Sequence, residues 1–334
     1  MKKFTYLIIA FSFCLSSLLM GCSCSKNNNV IRVNEVTHSI FYAPFYVAIN
    51  KGFMAEEGIE IELTNGGGSN VSMTALVSGS ADVGLMGPET AVYVAAQGKQ
   101  DLPKVFGQLT KRDGSFLIGR TPNSNFNWSD LAGTEIIAGR RGGMPAMSLE
   151  YALEQNGLYD GVNVTLRYDI EFNNTTTAFQ GGTGDFVTAF EPSASSLVEA
   201  GNAHIVASVG LESGEVPFTC FMANESYISK NKDMVKGFLR AVLKGYNFIM
   251  TAPINEVVEA LVPSFDTSTP ESIKTCIENY KAIDAWVENP AMTLDAYNRL
   301  TTIMANAGEL TTTVDFETIV DNTIANEVYL ELTA

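Results

Sequence analysis

The sequence predicts an α/β fold in which a second lobe is inserted into the first and the C-terminal part is helical. Three observations carry that expectation. From Val30 onward, short β-type runs alternate with helical runs across glycine or proline turns, the pattern of α/β proteins with mostly parallel strands. The segment Gly114-Ser115-Phe116-Leu117-Ile118-Gly119-Arg120 is echoed by Val216-Pro217-Phe218-Thr219-Cys220-Phe221-Met222-Ala223-Asn224, as though one strand led into an inserted domain and the other led out. Everything after Asn231 is helical in pattern. The expected boundaries are 30–113 with 222–334 for the first lobe and 114–221 for the second.

The elements follow in order. Met1-Lys2-Lys3, an uncharged apolar run from Phe4 to Met20 and the closing Leu19-Met20-Gly21-Cys22 read as a bacterial lipoprotein export signal over 1–21. Cys22 then becomes the mature N-terminus and carries the lipid. A membrane span fits less well, because the run falls short of the roughly 20 apolar residues needed and contains Ser12, Ser16 and Ser17. Residues 22–29 are small and polar, a tether with nothing to bury. Val30, Arg32, Asn34 and Val36 belong to a first strand, and a helix from Tyr46 to Lys51 follows, opened by Pro44 and closed by Gly52. Ile59 to Leu63 alternates with period two, a strand broken by Gly66-Gly67-Gly68-Ser69. A helix over Val71 to Val77, a strand over Asp82 to Met86 and a helix through Ala96 repeat the unit. In the second lobe, Phe116 to Ile118, Glu135 to Ala138, Val164 to Tyr168 and Asp185 to Phe190 read as strands, and Ala146 to Asn156 as a helix. Thr269-Pro270-Glu271 and Thr293-Leu294-Asp295 have the composition of helix starts.

Composition removes several function classes. With 21 basic against 37 acidic residues, the chain has no electrostatic footprint for nucleic acid. Past the tether only Cys220 and Cys276 remain, far apart and without metal-like spacing; they read as two isolated buried thiols in preference to one disulfide. No Cys-x-x-Cys pair occurs, and His38 and His204 are the only histidines, so neither metal nor cofactor is expected. No Gly-x-Ser-x-Gly motif is present to support nucleophilic catalysis.

Ligand-binding candidates remain. Glycine turns at helix N-termini let backbone N–H groups approach a polar or anionic ligand, and three such turns occur: Gly67, Gly68, Ser69 and Asn70; Gly87, Pro88, Glu89 and Thr90; and Arg141, Gly142, Gly143 and Met144. All three open at one end of their sheets, where parallel α/β proteins hold ligands. His38 and Ser39, beside Phe41 and Tyr42, read either as ligand-orienting groups or as a hydrogen-bonded loop. Tyr42, Phe41 and Phe190 are candidates to stack on a planar ligand or to pack in the core. Glu191, in Phe190-Glu191-Pro192, follows an apolar strand where a side chain enters a cleft; it reads equally as a solvated acid.

Val36-Thr37-His38-Ser39-Ile40-Phe41-Tyr42-Ala43-Pro44-Phe45-Tyr46-Val47-Ala48, the run from Lys51 to Ile61, the run from Ala75 to Gly84 and Phe190-Glu191-Pro192 together resemble the solute-binding proteins of ABC importers for nitrate, sulfonate, taurine and thiamine-pyrimidine precursors. The resemblance covers roughly Val30 to Asn224. It implies a two-lobed clamp of the periplasmic-binding-protein type, closing by hinge motion over a small-molecule solute. It also implies an ABC permease with its ATPase as partner, attachment to the extracytoplasmic face of the membrane through Cys22, and no catalysis. Its cleft-facing turns fall on His38 to Tyr42, Gly67 to Asn70, Gly87 to Thr90, Arg141 to Met144 and Glu191. Within the family, Glu89, Glu191 and His38 favour a thiamine-precursor-like nitrogen heterocycle, whereas Arg141 favours a nitrate- or sulfonate-type anion. Eukaryotic enzymes of pyrimidine-precursor synthesis resemble the same fold, but their cysteine-rich motif is absent here.

Overall fold

The computed structural model describes residues 29–333 except 99 and 202. The export signal, Cys22 and all of the tether but Asn29 lie outside them. Two five-stranded sheets form two lobes. The first sheet contains β1 (Val30–Glu35), β2 (Glu60–Asn65), β3 (Val83–Met86), β4 (Pro103–Thr110) and, returning from the second lobe, β10 (Thr219–Asn224), in the order β2-β1-β3-β10-β4. The second contains β5 (Phe116–Gly119), β6 (Glu135–Ile137), β7 (Thr165–Arg167), β8 (Phe186–Ala189) and β9 (His204–Ser208), in the order β7-β6-β8-β5-β9.

The sheets are mixed, which corrects the expectation of mostly parallel strands. β1 runs parallel to β2 and β3, while β10 is antiparallel to β3 and β4. β6 is parallel to β7 and β8, while β5 is antiparallel to β8 and β9. The physical reason is the crossover: a strand that enters its sheet from the other lobe arrives without a helical return and runs against its neighbours. The echoing segments at 116 and 219 therefore lie in different sheets. Thr219, Cys220 and Phe221 pair within the first sheet, so the expected boundary after 221 cuts a first-lobe strand. The return crossing precedes Thr219.

Local signals set the helices. Ala43–Asn50 starts three residues before the expected Tyr46, with Pro44 in its first turn, and Gly52 stands just beyond it at φ 78°. The Thr269 and Thr293 side chains accept from the N–H groups of Ser272 and Ala296, capping Pro270–Ala282 and Leu294–Asn306. The long helix Lys232–Thr251 lies on Ala43–Asn50, and the two approach closely because Gly245 has no Cβ; one there would stand 2.1 Å from the Pro44 carbonyl oxygen. The C-terminal helices return to the first lobe, where Pro270–Ala282 touches Ile40–Tyr42 and Leu294–Asn306 touches Glu89–Ala96, and they reach the second lobe as well. Pro270–Ala282 touches Ser193–Glu199 and Leu294–Asn306 touches Met144–Gln155, both of the second lobe. The main core runs from β1 and β3 through Phe41, Phe218 and Tyr280 into the second lobe, and a smaller core around Leu117, Ile136, Leu149 and Val209 lies within that lobe. Cys220 and Cys276 are buried and free, and burial raises both thiols above their ordinary range.

Candidate functional site

The turns that leave the carboxyl ends of β1, β2 and β3 face those that leave β6 and β8, and between them lies a cavity of about 60 Å³. Space of that order holds several waters or a small solute. Val36, Thr37 and Tyr42 form one wall, the Gly67–Asn70 turn a second and Gly87 the floor. The second lobe contributes Ala138 to Arg140, Gly143 to Pro145, Glu171, Phe172 and Phe190, and Phe218 and Thr219 close the back. The aromatic side is continuous: Phe190 has its ring centre 5.9 Å from both Phe172 and Phe218.

Of the residues expected from sequence, Tyr42, Gly67, Gly68, Ser69, Asn70, Gly87, Gly143 and Met144 are brought together on this cavity. Thr90 donates from Oγ1 to the Gly87 carbonyl at 2.7 Å, and Pro88 is the N-cap of its helix; both build the floor. Phe41 is fully buried behind the cavity, its ring 5.0 Å from Tyr280 and 5.5 Å from Phe190, and takes the core role.

Glu89 is fully buried directly under the floor. A Cβ on Gly87 would stand 2.0 Å from its Oε2, so the carboxylate rests against a bare Cα. Neither oxygen has a hydrogen-bond partner. Burial pushes this carboxyl up to about 7, against the opposing pull of nearby backbone N–H groups and of the Arg140 charge.

Two expected groups stand elsewhere. Arg141 points outward, its guanidinium 3.9 Å from the Tyr168 ring centre and 3.5 Å from Asp160; Arg140 is the arginine in the cavity wall. Adjacent residues leaving a strand project to opposite sides, and the sequence gives no way to tell which of the pair faces inward. Glu191 does not line this cavity but borders the neighbouring one, together with His38 and Ser39. Its carboxylate is buried and accepts from the Ser195 N–H at 2.8 Å, Ser195 Oγ at 2.9 Å and Asn279 Nδ2 at 2.7 Å. Its carbonyl accepts from Ser39 Oγ at 2.5 Å, so it pins the two lobes near their crossing. Gly142 is not among the lining residues, and its carbonyl accepts from the Tyr93 hydroxyl at 2.9 Å.

His38 and Ser39 border a neighbouring cavity of about 110 Å³. His38 Nδ1 lies 2.8 Å from Glu35 Oε1 and Nε2 2.7 Å from the Ser264 carbonyl, and Tyr46 donates to Glu35 Oε2 at 2.5 Å. The Glu35 bond, and then the Ser264 carbonyl, raise the imidazole above its ordinary value despite partial burial, and both ring nitrogens face acceptor oxygens. Sequence reasoning missed Arg140, Phe172, Phe218 and Thr219, because their part in the site exists only once the lobes face each other. Among the described residues, no cluster of three or more His, Cys, Asp or Glu is placed to hold a metal.

A two-lobed α/β clamp with a solute-sized cavity between facing strand ends is the architecture of a periplasmic binding protein. The chain belongs to the NMT1/THI5-like family, whose pattern matches residues 40–256. It is 39% identical over 320 residues, 96% of each chain, to YtlA of Bacillus subtilis (strain 168), itself described only as a candidate binding protein. In fold it is similar to the periplasmic aliphatic sulphonate binding protein SsuA of Escherichia coli (TM-score 0.69, 16% identity, covering 90% of this chain and 99% of that one). It is likewise similar to the periplasmic nitrate-binding protein NrtA of Synechocystis PCC 6803 (TM-score 0.72, 14% identity, 91% and 89% covered).

Proposed function

We propose that this chain is the extracytoplasmic substrate-binding lipoprotein of an ABC importer, capturing one small organic solute and delivering it to the permease with its ATPase. The observation that carries the reading is the cavity of about 60 Å³ walled by both lobes, with Phe172, Phe190, Phe218 and Tyr42 among its lining residues. A flat nitrogen heterocycle of the thiamine-pyrimidine-precursor kind suits those walls and the buried acid beneath them. Arg140 favours a second reading, a nitrate-, sulfonate- or taurine-type anion, since a guanidinium clamps oxyanions. Membership of the family and the fold shared with SsuA and NrtA support the transport role. No helix among the described residues is long and apolar enough to cross a membrane. Attachment is assigned to the lipid on Cys22 from the export signal in the sequence.

The test is a melting-temperature screen of purified protein against a metabolite panel, with mass spectrometry of any solute released on denaturation. A binder gains stability by mass action and releases the solute unchanged. Flat melting across the panel, or release of a turnover product, overturns the reading. For the anchor, Cys22→Ala in the full chain moves the protein from the membrane to the soluble fraction; retention on the membrane removes the lipid assignment.

A further inference from the structure

We propose that Glu89 and Arg140 form the two charged ends of one recognition site, so that the solute is dipolar, with a protonated nitrogen at the Glu89 end and an oxyanion at Arg140. The proposal rests on the solute-binding reading of this cleft and adds the ligand's charge pattern, together with the residues that select it.

Three observations carry it. Glu89 is fully buried with neither carboxylate oxygen in a hydrogen bond of full geometry, and its carboxylate stands against the bare Cα of Gly87, a residue that lines the cavity. Arg140 stands in the same cavity wall; its one hydrogen bond runs to the carbonyl of Arg141 at 3.3 Å, and it makes no ion pair among the described residues. The two charges also do not pair with each other, although each lies close enough to influence the other. An unpaired buried carboxylate is costly, and the two opposite charges are kept apart across a space lined by aromatic rings. A molecule that carries both complementary charges on a flat body satisfies both at once. A simple anion leaves Glu89 unmatched and meets its negative charge; a simple cation leaves Arg140 unmatched.

The groups that face Glu89 are consistent with this. They are the guanidinium of Arg140, the Tyr42 and Tyr93 side chains, the Cys220 thiol, and the backbone N–H groups of Glu89, Thr90 and Met144. None of these meets full hydrogen-bond geometry at its carboxylate, although the N–H groups of Glu89, Met144 and Thr90 stand near enough to pull its pKa down against burial. Burial raises this carboxyl to about 7, and a protonated nitrogen in the cavity restores its charge.

The experiment has two arms. In the first, small flat solutes grouped as neutral, cationic, anionic and dipolar are titrated against wild type, Glu89→Gln and Arg140→Gln, with melting shift and calorimetry as readouts. Dipolar solutes are expected to bind wild type best, and each variant to lose at least tenfold in affinity for them while retaining solutes that lack the matching charge. Preference for anions, or dipolar binding unchanged in Glu89→Gln, overturns the proposal and leaves the solute-binding reading standing. No binding in any class overturns both. In the second arm, without solute, Glu89→Gln is expected to melt above wild type at pH 8 and to approach it at pH 4, because a carboxyl raised from its ordinary value weakens the fold as pH rises through about 7. A variant that melts below wild type at pH 8 shows a carboxylate already compensated by protein groups, and overturns the proposal.

Discussion

Tyr93 donates its phenolic hydrogen to the Gly142 carbonyl at 2.9 Å, joining a first-lobe helix to the turn that opens the second-lobe helix Met144–Gln155. The bond crosses from one lobe to the other. Tyr93→Phe keeps the ring's packing and removes one such bond, worth about 0.5–1.5 kcal/mol. Solute affinity is therefore expected to fall about three- to tenfold with little change in the melting temperature of the solute-free protein. Calorimetric titration checks it, and an unchanged affinity means that closure does not draw on this bond.

How far the sequence carried this picture varies with the range of the forces involved. The Pro44 and Gly52 signals, the Thr269 and Thr293 caps and the period-two strand near Ile61 are local, and each corresponds to an element in the fold. The glycine turns were equally legible, because a bare Cα after a strand has few other uses. What escaped was everything decided across the lobes. The choice between Arg140 and Arg141 depends on which side of β6 meets the cleft, and the role of Glu191 on the arrival of Asn279 from a helix 88 residues downstream. The strand β4 carries Lys104, Gly107, Gln108 and Thr110 among its apolar residues, and is a strand because β10 pairs with it from beyond the inserted lobe.

Glu191 holds the Ser195 N–H, Ser195 Oγ and Asn279 Nδ2 in a buried place, so its loss leaves donors unsatisfied rather than a ligand unbound. Glu191→Ala is expected to destabilise the fold by about 2–4 kcal/mol. The protein that remains folded at low temperature should retain solute affinity to within about threefold. Urea unfolding and calorimetry on the same samples check both halves. Normal stability with lost binding returns Glu191 to the cleft.

His38 gives the fold a pH signature. Its folded pKa is raised, chiefly by the Glu35 bond, so the stability it contributes is complete below its ordinary value of about 6.5 and is lost as pH rises through the higher folded value. The groups around it are the Glu35 carboxylate, the Tyr46 hydroxyl at 3.2 Å, the Ser264 carbonyl and the Phe265 ring. His38→Gln should flatten the melting-temperature profile above pH 6.5 and lower its plateau at pH 6. A variant profile parallel to wild type across that range removes His38 as the cause.

Asp113 gives a different window. It lies fully buried at the first crossing between lobes, its Oδ1 accepting from the Ser115 N–H at 2.6 Å and its Oδ2 without a partner. Gly210 must be bare beside it, because a Cβ there would stand 2.1 Å from the Asp113 carbonyl oxygen, which leaves no room for a compensating side chain from that direction. Burial, opposed by the nearby Ser115 hydroxyl and N–H and the Ser148 hydroxyl, pushes the carboxyl from an ordinary 3.8 up to about 7. A carboxyl raised in the folded state favours the fold while protonated, and the advantage fades as pH rises from about 4 through 7. Asp113→Asn keeps the shape and removes the ionisation, so it should be less pH-sensitive over that window and more stable than wild type at pH 8 by about 1–3 kcal/mol. Glu89 titrates in the same range, and the difference between wild type and Asp113→Asn isolates the Asp113 share. If the variant is instead the less stable at pH 8, the ionised Asp113 is compensated by the hydroxyls of Ser115 and Ser148, and the crossing is held by its charge rather than strained by it.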